Sequence, residues 1–495
     1  MQPNHVTLGP GFEIKHYCGL FGIAEHPKAA ELTYLGLYAQ QHRGQEAAGI
    51  CSADGTRIER RAGVGLVTDA FSEEALEELR NPIAVGHVRY STTGGSSPSN
   101  IQPLLVQAAY GQLGLCHNGN LVNAASLRED YERRGHIFNS TSDSEVILHM
   151  LADEHYRRQD DPLAAVLRDL RGSYCLLMIH PDHIEAARDP SGNRPLCLGK
   201  LDGAWVVASE TCAFDLVEAE YVRDVAPGEI ITIKDGELSS RRFVDEAECR
   251  QAHCIFELIY FSDPSSIVFE ESVHMARKEM GAALAREDNV EADLVIPVPN
   301  CARCAAIGYH EESGIPLGRG FTTNHYVGRS FIQPTQAIRD LTVRLKLNPI
   351  RASVEGKRLI VVEDSVVRGT TTRSKMDSLR RAGATEIHLR VASPPIRFPC
   401  HYGIDFPQRD ELIANQRSVD EIRDYLGIDS LVYLSHEQML NAVESANAHY
   451  CTACFSGAYP MQIDENFRKD VFEKKINGVK VKPETKPERG AGQKT

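Results

Sequence analysis

Cys18 is one residue of this chain suited to nucleophilic chemistry, because it opens the run Cys18–Ile23 directly after a short leader. A thiol needs a base to become a nucleophile, and a free α-amine, with a pKa of about 7.7–8.0, suits that task near neutral pH. A cysteine at the start of a chain carries such a base within the same residue. The sequence therefore predicts that removal of residues 1–17 converts Cys18 into an N-terminal nucleophile. The alternative is that Cys18 is a small buried residue at the start of a strand.

A second candidate site follows the apolar, strand-like run Leu359–Val362. Glu363 and Asp364 come next, followed by a loop of small residues that ends at Gly369 and by threonines that begin a helix. Backbone N–H groups at a helix N-terminus, together with threonine hydroxyls, suit a phosphate monoester. Adjacent carboxylates at the end of a strand suit ribose hydroxyls or Mg²⁺. The alternative is that Asp364 or Ser365 is only a helix cap.

Thirteen cysteines form a third set of candidates. Two CxxC pairs occur, Cys301–Cys304 and Cys451–Cys454, while Cys254 and Cys400 are far from both in sequence. Spacing alone permits a zinc site, an iron–sulfur site or neither, and the two pairs together would make a four-cysteine zinc site. The cysteines expected to pack in cores are Cys51, Cys116, Cys175, Cys197, Cys212 and Cys249.

Length and composition limit what the whole chain can be. At 495 residues it exceeds the size at which one hydrophobic core keeps growing, so two domains are expected. A net charge of -14 argues against a general nucleic-acid surface but leaves phosphorylated metabolites open. No stretch reaches the apolar length of a membrane helix, and residues 1–17 lack the apolar segment of a secretory signal. We therefore expect a cytoplasmic protein with no nucleic-acid or membrane partner.

The elements that must position these residues differ between the two halves. In the first half, short β-type runs are broken by turns and interleaved with helical stretches, which favours layered sheets covered by helices. The predicted strands are Cys18–Ile23, Ala48–Cys51, Ile83–Val88, Leu113–Cys116, Tyr174–Ile179 and Ile230–Ile233, and the predicted helices include Ala29–Gln41 and Ser144–Arg157.

The second half, after a charged stretch at Phe243–Ala252, alternates apolar runs of the parallel-strand type with helices. This alternation predicts a doubly wound sheet that binds its ligand at the carboxyl ends of the strands. The predicted strands are Leu294–Val298, Leu359–Val362 and Ile387–Val391, and the predicted helices cover Ala305–Tyr309 and Thr371–Ala382, with Gly383 as a cap. The expected division is a leader over residues 1–17, domains over 18–245 and 246–470, and a disordered tail over 471–495.

Four further segments accompany Cys18, and the set resembles the glutaminase domain of class II glutamine amidotransferases. The segments are Gln41–Glu46, Gly86–Thr92, His117–Asn120 and Ser142–Glu145. The resemblance implies a layered αββα domain in which Arg89 grips the α-carboxylate of glutamine and Asp143 holds its α-ammonium group. It also implies that the Asn118 side chain and the Gly119 N–H form the oxyanion hole for the tetrahedral intermediate.

The segment Leu359–Thr372 resembles the phosphoribosyl pyrophosphate signature of type I phosphoribosyltransferases. Further stretches continue the match, namely Tyr326–Pro334, Val343–Asn348 and Ala392–Pro395. From Cys18 to about Tyr459 the chain resembles the amidophosphoribosyltransferase family. This resemblance implies a pentosyl transfer in which ammonia from glutamine displaces pyrophosphate from phosphoribosyl pyrophosphate, giving 5-phosphoribosylamine and opening de novo purine synthesis. The ammonia would pass between the two sites through an internal, water-excluding channel.

The same resemblance implies the residues and partners of the second site. The residues that would contact phosphoribosyl pyrophosphate are Glu363, Asp364, Ser365, Arg368, Gly369, Thr370, Thr371, Arg329 and Gln333. Arg329 and Gln333 belong to a segment that in the family closes over bound substrate. Glu363 and Asp364 would ligate Mg²⁺, and Cys301 is a poorer third candidate because thiols favour softer metals. The resemblance also implies that purine nucleotides inhibit the protein and that it assembles into a homo-oligomer, a tetramer.

The iron–sulfur branch of the family places cysteines in the contexts of Cys254, Cys400, Cys451 and Cys454. The resemblance therefore implies that these four thiolates hold a [4Fe–4S] cluster, structural or oxygen-sensing, since the reaction needs no electron transfer. A zinc site built from both CxxC pairs is disfavoured, because Cys301 stands at the strand end expected to face the sugar phosphate.

Three positions depart from the family pattern. Glu363–Asp364 replaces two aspartates and keeps the charge, whereas Asn300–Ala302 replaces Asp-Ser-Gly. Thr323 and His325 stand where Lys and Arg are common. Two alternatives therefore stay open. One is a regulatory protein that binds phosphoribosyl pyrophosphate or a purine nucleotide without turnover, and the other is a different class II amidotransferase, although no sugar-phosphate isomerase domain is apparent.

Overall fold

The computed structural model describes residues 18–90, 97–288, 290–323, 347–406, 408–443, 449–461 and 463. The leader 1–17, the tail 471–495 and the predicted residues Arg329 and Gln333 lie outside the described residues. Within the described ranges, no helix is both long and apolar enough to cross a membrane.

The strands, in chain order, are β1 Gly19–Ala24, β2 Ala47–Ala53, β3 Ile58–Val64, β4 Ile83–Arg89, β5 Leu104–Ala108, β6 Gly111–Leu121, β7 Gly172–Ile179, β8 His183–Arg188, β9 Cys197–Leu201, β10 Ala204–Ala208, β11 Glu220–Asp224, β12 Glu229–Lys234, β13 Glu237–Arg242, β14 His253–Cys254, β15 Ile267–Val268, β16 Glu271–Ser272, β17 Leu294–Pro297, β18 Phe321–Thr323, β19 Leu347–Pro349, β20 Arg358–Glu363, β21 Glu386–Val391, β22 Ser430–Tyr433 and β23 Tyr450–Cys451. The α-helices are Ala29–Ala39, Val67–Ala70, Glu73–Glu78, Ala124–Arg133, Ser144–Ala152, Glu154–Arg157, Pro162–Asp169, Cys212–Val217, Val273–Arg286, Arg303–Ser313, Arg351–Val354, Thr370–Arg381, Ile413–Gln416, Val419–Leu426, His436–Asn441 and Ala453–Ser456. Short 3₁₀ turns at Pro98–Asn100, Glu246–Glu248 and Arg409–Glu411 and a π-helix at Glu257–Phe261 complete the set.

Two antiparallel sheets stack in the first half. One has the strand order β11-β9-β10-β1-β4-β2-β3, and the other has the order β13-β12-β8-β7-β6-β5. Apolar side chains from both sheets, Leu20 and Leu177 among them, form the core between them. The helix Ala29–Ala39 packs on the outer face of the first sheet, and Ser144–Ala152 packs on that of the second. The layered αββα arrangement expected from the sequence is therefore confirmed.

All six strands predicted in this half are present, and most extend slightly beyond the predicted apolar runs. The difference is largest in β6, which continues from Leu113–Cys116 through the polar residues His117–Asn120. The predicted helix Ser144–Arg157 is wrong in one respect, because it breaks into two helices at Asp153. The Asp153 carboxylate accepts a hydrogen bond from the His155 N–H (2.9 Å) and caps the second helix, which is why the first one ends there.

A four-stranded parallel sheet, in the order β17-β20-β21-β22, forms the centre of the second half. The helices Thr370–Arg381 and Val419–Leu426 contribute to the core on one face, and Val273–Arg286 and Arg303–Ser313 contribute to the core on the other. Gly383 follows the first of these helices with a φ of 102°, in the region that favours glycine. Helices on both faces of a parallel sheet confirm the doubly wound class.

The two halves meet through buried polar contacts. The Arg194 guanidinium donates to the Tyr402 carbonyl oxygen (2.7 Å) and to Glu257 (3.3 Å). The Asn120 side-chain amide, on β6, donates to the His401 carbonyl oxygen (2.8 Å). These contacts tie the strand that carries predicted site residues of the first half directly to the second half.

Candidate active sites

Cys18 lies just before β1, at the end of the pairing between β1 and β4. The register places Gly19 opposite Val88, which brings Cys18 beside Arg89 and Tyr90. The thiol is buried and donates a long hydrogen bond to the Tyr90 carbonyl oxygen (3.9 Å). A side-chain carbon on Gly19 would lie 2.9 Å from Val88 Cγ2, so the glycine makes room for this valine. The strand pairing therefore holds the thiol in one place at the sheet end.

The surroundings of Cys18 do not favour a spontaneous thiolate. Burial raises the pKa of the thiol above its ordinary value, and the Asp143 carboxylate raises it further. The Tyr90 backbone contact and the Arg89 and Arg43 guanidinium groups lower the pKa but do not offset burial. A thiol in this setting is protonated at neutral pH, so a nearby base is needed to make it a nucleophile.

The buried side chain of Arg43 binds the backbone of Cys18. Its Nε donates to the Cys18 carbonyl oxygen (3.1 Å), and its other nitrogens form ion pairs with Glu210 and with Glu257 (2.8 and 3.0 Å to the latter). All three charged side chains are fully buried. Sequence patterns alone assign Arg43 no role. The available signal is Glu257, a charge inside an apolar run, because a buried carboxylate needs a cationic partner.

Asn118 and Gly119 lie side by side on β6. Asn118 is fully buried, and neither its side-chain nitrogen nor its oxygen has a hydrogen-bond partner among the described residues. A buried amide left in this state costs about 1–3 kcal/mol. Gly119 has a φ of 149°, and a side-chain carbon there would lie 2.0 Å from the Ser173 carbonyl oxygen, so only glycine fits. The fold therefore keeps an unsatisfied amide next to a position that only glycine can occupy.

Arg89 and Asp143 place opposite charges near Cys18, and both affect the pKa of its thiol. Arg89 is the last residue of β4 and is buried. Asp143 precedes the helix Ser144–Ala152, and its carboxylate accepts hydrogen bonds from the Leu121 N–H (2.9 Å) and the Ser144 hydroxyl (3.3 Å). A nucleophile set between a fixed cation and a fixed anion can hold a zwitterionic amino acid whose side chain reaches the thiol.

The carboxylates of the second site lie at the carboxyl end of β20. Glu363, Asp364 and Ser365 are all buried. The Ser365 hydroxyl donates to Asp364 Oδ1 (2.7 Å), and Lys375 Nζ lies 3.3 Å from Glu363 Oε1. This edge of the parallel sheet is where the doubly wound class binds its ligands.

The helix of the second site begins at Thr370, and its N-cap is Gly369 with a φ of 74°. The alternative that Asp364 or Ser365 caps this helix is therefore wrong. Glycine has no side chain that could accept from the N–H groups of the first turn, which suits the binding of an anion at this end.

The other described residues predicted for the second site lie on the chain that follows β17 and β20. Thr371 is half-buried in the first turn of the helix, and Arg368 forms an ion pair with Glu411 (2.8 Å). Cys301 is half-buried and follows β17, and Thr323 ends β18.

Cys254, Cys400, Cys451 and Cys454 come together around the parallel pair of β14 and β23. The register of this pair puts Cys254 opposite Cys451. Burial and then the neighbouring thiols raise the pKa of Cys451 to about 12 and that of Cys454 well above its ordinary value. The Tyr402 N–H donates to Cys400 Sγ (3.4 Å). The CxxC at Cys451 thus faces Cys254 and Cys400 rather than the second CxxC.

The donor set fits an iron–sulfur cluster better than a single zinc ion. Four thiolates are the usual ligands of [4Fe–4S], and hydrogen bonds to the sulfurs are typical of such sites. A zinc ion about 2.3 Å from each sulfur would draw the four sulfurs to within about 4 Å of one another. Among the described residues, the groups whose three ligand atoms lie within 4.8 Å of one another are His42–Glu210–Cys212 and His180–His183–Glu185. Neither group contains these cysteines, so no three of their sulfurs lie as close together as a single zinc ion would hold them.

Comparison with known proteins gives consistent matches. A family model described as a glutamine amidotransferase domain matches residues 87–215. The amidophosphoribosyltransferase of Bacillus subtilis is 46% identical over 451 residues, covering 90% of this chain and 94% of that protein. The amidophosphoribosyltransferase of Methanothermobacter thermautotrophicus is 45% identical over 453 residues, covering 90% of this chain and 95% of that protein.

Solved structures agree with these matches. The glutamine phosphoribosylpyrophosphate amidotransferase of B. subtilis, complexed with ADP and GMP, superposes with a TM-score of 0.85 at 45% identity, over 91% of this chain and 99% of that one. A structure described as the allosteric regulatory enzyme of purine biosynthesis superposes with a TM-score of 0.86 at 46% identity, over 91% of this chain and 98% of that one.

Proposed function

The chain belongs to the amidophosphoribosyltransferase family, and we propose from its geometry how it divides the reaction between two sites. The enzyme transfers ammonia from glutamine to phosphoribosyl pyrophosphate, which yields 5-phosphoribosylamine, glutamate and pyrophosphate in the first step of purine biosynthesis. The matches extend through both halves of the chain, so the alternative of another class II amidotransferase is excluded. Because the relatives are named as enzymes, a binder without turnover is not supported.

The first half-reaction would take place at Cys18. Removal of residues 1–17 would turn its peptide nitrogen into an amine, which accepts the thiol proton as the sulfur attacks the glutamine amide. Burial raises the pKa of this thiol, so its attack on the amide requires a base close by, which the amine would supply. The amine would then return the proton to the leaving nitrogen, so that the C–N bond breaks, ammonia is released and a thioester remains, which water hydrolyses to glutamate.

The observation that carries this proposal is the unsatisfied amide of Asn118. The negative charge that develops on the substrate oxygen needs donors already in place, and the Asn118 side chain with the Gly119 N–H would supply them. Arg89 would pair with the α-carboxylate of glutamine, and Asp143 with its α-ammonium group. Asn118 has no hydrogen-bond partner within the part of the chain that the structure describes, so a bond to the tetrahedral intermediate would offset the cost of burying its amide.

The second half-reaction would take place at the carboxyl end of β20. The first turn of the helix at Thr370, with Ser365, Gly369 and Thr371, would hold the 5-phosphate. Glu363 and Asp364 would hold the ribose hydroxyls and Mg²⁺, which when bound supplies positive charge for the leaving pyrophosphate. Ammonia arriving from the first site would displace that pyrophosphate at the anomeric carbon.

Other residues would control access to this second site. Arg368, Arg329 and Gln333 are proposed to contact the substrate, and closure of the segment with Arg329 and Gln333 would keep out water, the competing nucleophile. Cys301 is a weak candidate for Mg²⁺, since a thiol is a soft ligand.

Further properties are proposed on the same footing. Cys254, Cys400, Cys451 and Cys454 would hold a [4Fe–4S] cluster of structural or oxygen-sensing character. A relative was solved with ADP and GMP, which supports inhibition by purine nucleotides. A tetrameric assembly and a cytoplasmic location remain predictions from the sequence.

The test is a coupled assay on protein purified under anaerobic conditions. With glutamine, phosphoribosyl pyrophosphate and Mg²⁺, we expect glutamate and pyrophosphate in equal amounts. The mass of the active protein should match a chain that begins at Cys18. Formation of glutamate without release of pyrophosphate would contradict the proposed role of the second site. Full activity in a chain that retains residues 1–17 would contradict the N-terminal nucleophile.

A further inference from the structure

The CxxC pair Cys301–Cys304 supplies no reacting group in the proposed mechanism, yet it lies beside the second site. It follows β17, whose register places Pro297 opposite Val362 on β20. The Val298 N–H donates to the Val362 carbonyl oxygen (2.8 Å), so the chain leaving β17 runs next to the chain that enters Glu363. The pair therefore occupies the same edge of the sheet as the proposed phosphoribosyl pyrophosphate site.

The backbone brings the two cysteines within bridging range. The helix Arg303–Ser313 begins directly after Ala302, whose φ of -76° and ψ of 0° are already those of a helical turn. Residues three apart across such a turn have Cα atoms about 5–6 Å apart, which is the separation that a disulfide needs. The structure has no disulfide bond between them.

The two thiols differ in a way that suits exchange chemistry. Cys301 is half-buried and lies at the positive end of the helix, where a thiolate is favoured and an incoming disulfide can reach it. Cys304 is buried, and its sulfur lies 3.3 Å from His274 Nδ1, an atom placed to take the thiol proton. Cys301 is therefore arranged to attack an incoming disulfide, and Cys304 to complete the bond.

Bridging would move the loop rather than the helix. A side-chain carbon on Gly308 would lie 1.8 Å from the Lys278 carbonyl oxygen, and one on Gly281 would lie 1.8 Å from the Ala305 carbonyl oxygen. The backbones of the two helices are therefore in direct contact, which opposes movement of the helix that carries Cys304. Any adjustment falls on residues 298–302, beside Glu363 and Asp364.

We propose that Cys301 and Cys304 are a redox-active dithiol that closes to a disulfide by exchange with a small disulfide, such as oxidised glutathione, and so inactivates the second site. The inhibitory part rests on the proposed function of that site. In the first step the Cys301 thiolate attacks the small disulfide and releases one thiolate. In the second step Cys304 gives its proton to His274, attacks the Cys301 sulfur and releases the other thiolate. The protein loses two electrons and two protons, and the small disulfide becomes two thiols.

The experiment treats anaerobically purified full-length protein with oxidised glutathione while cluster absorbance is followed. A peptide containing both cysteines should become lighter by two hydrogens. Pyrophosphate release with ammonia as the nitrogen donor should fall by about tenfold or more, since small displacements at a reacting site have effects of this size. Dithiothreitol should restore both the peptide mass and the rate of pyrophosphate release.

In Cys301→Ser and in Cys304→Ser, oxidised glutathione should no longer lower pyrophosphate release, when each variant is compared with its own reduced form. Cys249→Ser, which removes a half-buried cysteine elsewhere, should still be inhibited. The proposal is overturned if no disulfide forms at equilibrium, or if a disulfide forms and activity is unchanged. It is also overturned if oxidised glutathione inhibits Cys304→Ser as strongly as the parent protein, or if the reduced pair binds stoichiometric zinc. If the reduced protein releases no pyrophosphate, the proposed function fails, and the peptide mass separately decides whether the dithiol closes.

Discussion

The residue that most constrains the chemistry of the first site is Asn118. Buried side-chain amides are almost always hydrogen-bonded, because an unpaired one costs about 1–3 kcal/mol. Asn118 has no partner among the described residues, and it adjoins Gly119, where only glycine fits. A fold that tolerates both features on a strand in contact with β1 is arranged for charge that appears only during the reaction.

Asn118→Ala should lower glutamine-dependent turnover by about 10²–10³-fold, the usual effect of removing one oxyanion donor. Activity with free ammonia should stay near that of the parent protein, because the second site does not use this amide. Steady-state kinetics with each nitrogen donor measure both effects.

Ser173→Ala is the matched control, since it also removes a buried polar group that lacks a hydrogen-bond partner among the described residues. It should leave both activities close to the parent values. Equal losses in the two variants would mean that Asn118 acts through packing alone.

At the scale of elements, the buried ion network joins the glutaminase strands to the second half. Arg43 binds the carbonyl oxygen before β1 and the carboxylate of Glu257 in the π-helix, and Arg194 binds the same carboxylate and the Tyr402 carbonyl oxygen. A buried pair is weak evidence for net stability, but loss of one partner leaves an uncompensated charge.

Arg43→Ala should therefore destabilise the protein by about 3–5 kcal/mol, measured as a shift in urea unfolding. Arg61→Ala removes an exposed arginine paired with Glu78 and should cost at most about 1 kcal/mol. If the two variants unfold at the same urea concentration, the network does not hold the halves together.

The segments that bring Cys254, Cys400, Cys451 and Cys454 together lead to a separate prediction at this scale. Anaerobically purified parent protein should contain about four iron and four sulfide per chain and be brown. Cys400→Ala should lose most of both, whereas Cys51→Ala, which alters a cysteine buried in the core of the first half, should keep them. Stoichiometric zinc in place of iron would contradict the cluster.

Apolar runs were sufficient to locate the strands that carry both sites, because buried strands are continuous in apolar residues. They missed the polar end of β6, since His117–Asn120 include polar residues that break the apolar pattern. The position of Glu257 beside Arg43 could not be predicted either. These residues are 214 positions apart, and no local pattern encodes a contact at that distance.

On the scale of the whole molecule, the two proposed sites, which differ in chemistry, lie on different sheets. The first lies between β1, β4 and β6 of the antiparallel layers, and the second at the carboxyl end of β20 in the parallel sheet. The Asn120 contact with His401 links the strand of the proposed oxyanion hole to the segment that carries Cys400. The account therefore requires that the sites share ammonia while keeping separate catalytic groups.

The direct test of this division is the activity of Cys18→Ala with each nitrogen donor. The account predicts that the variant loses all use of glutamine yet releases pyrophosphate with ammonia at about the parent rate, since the second site has its own residues. A folded variant, judged by its circular dichroism and its cluster content, that loses both activities would contradict the account.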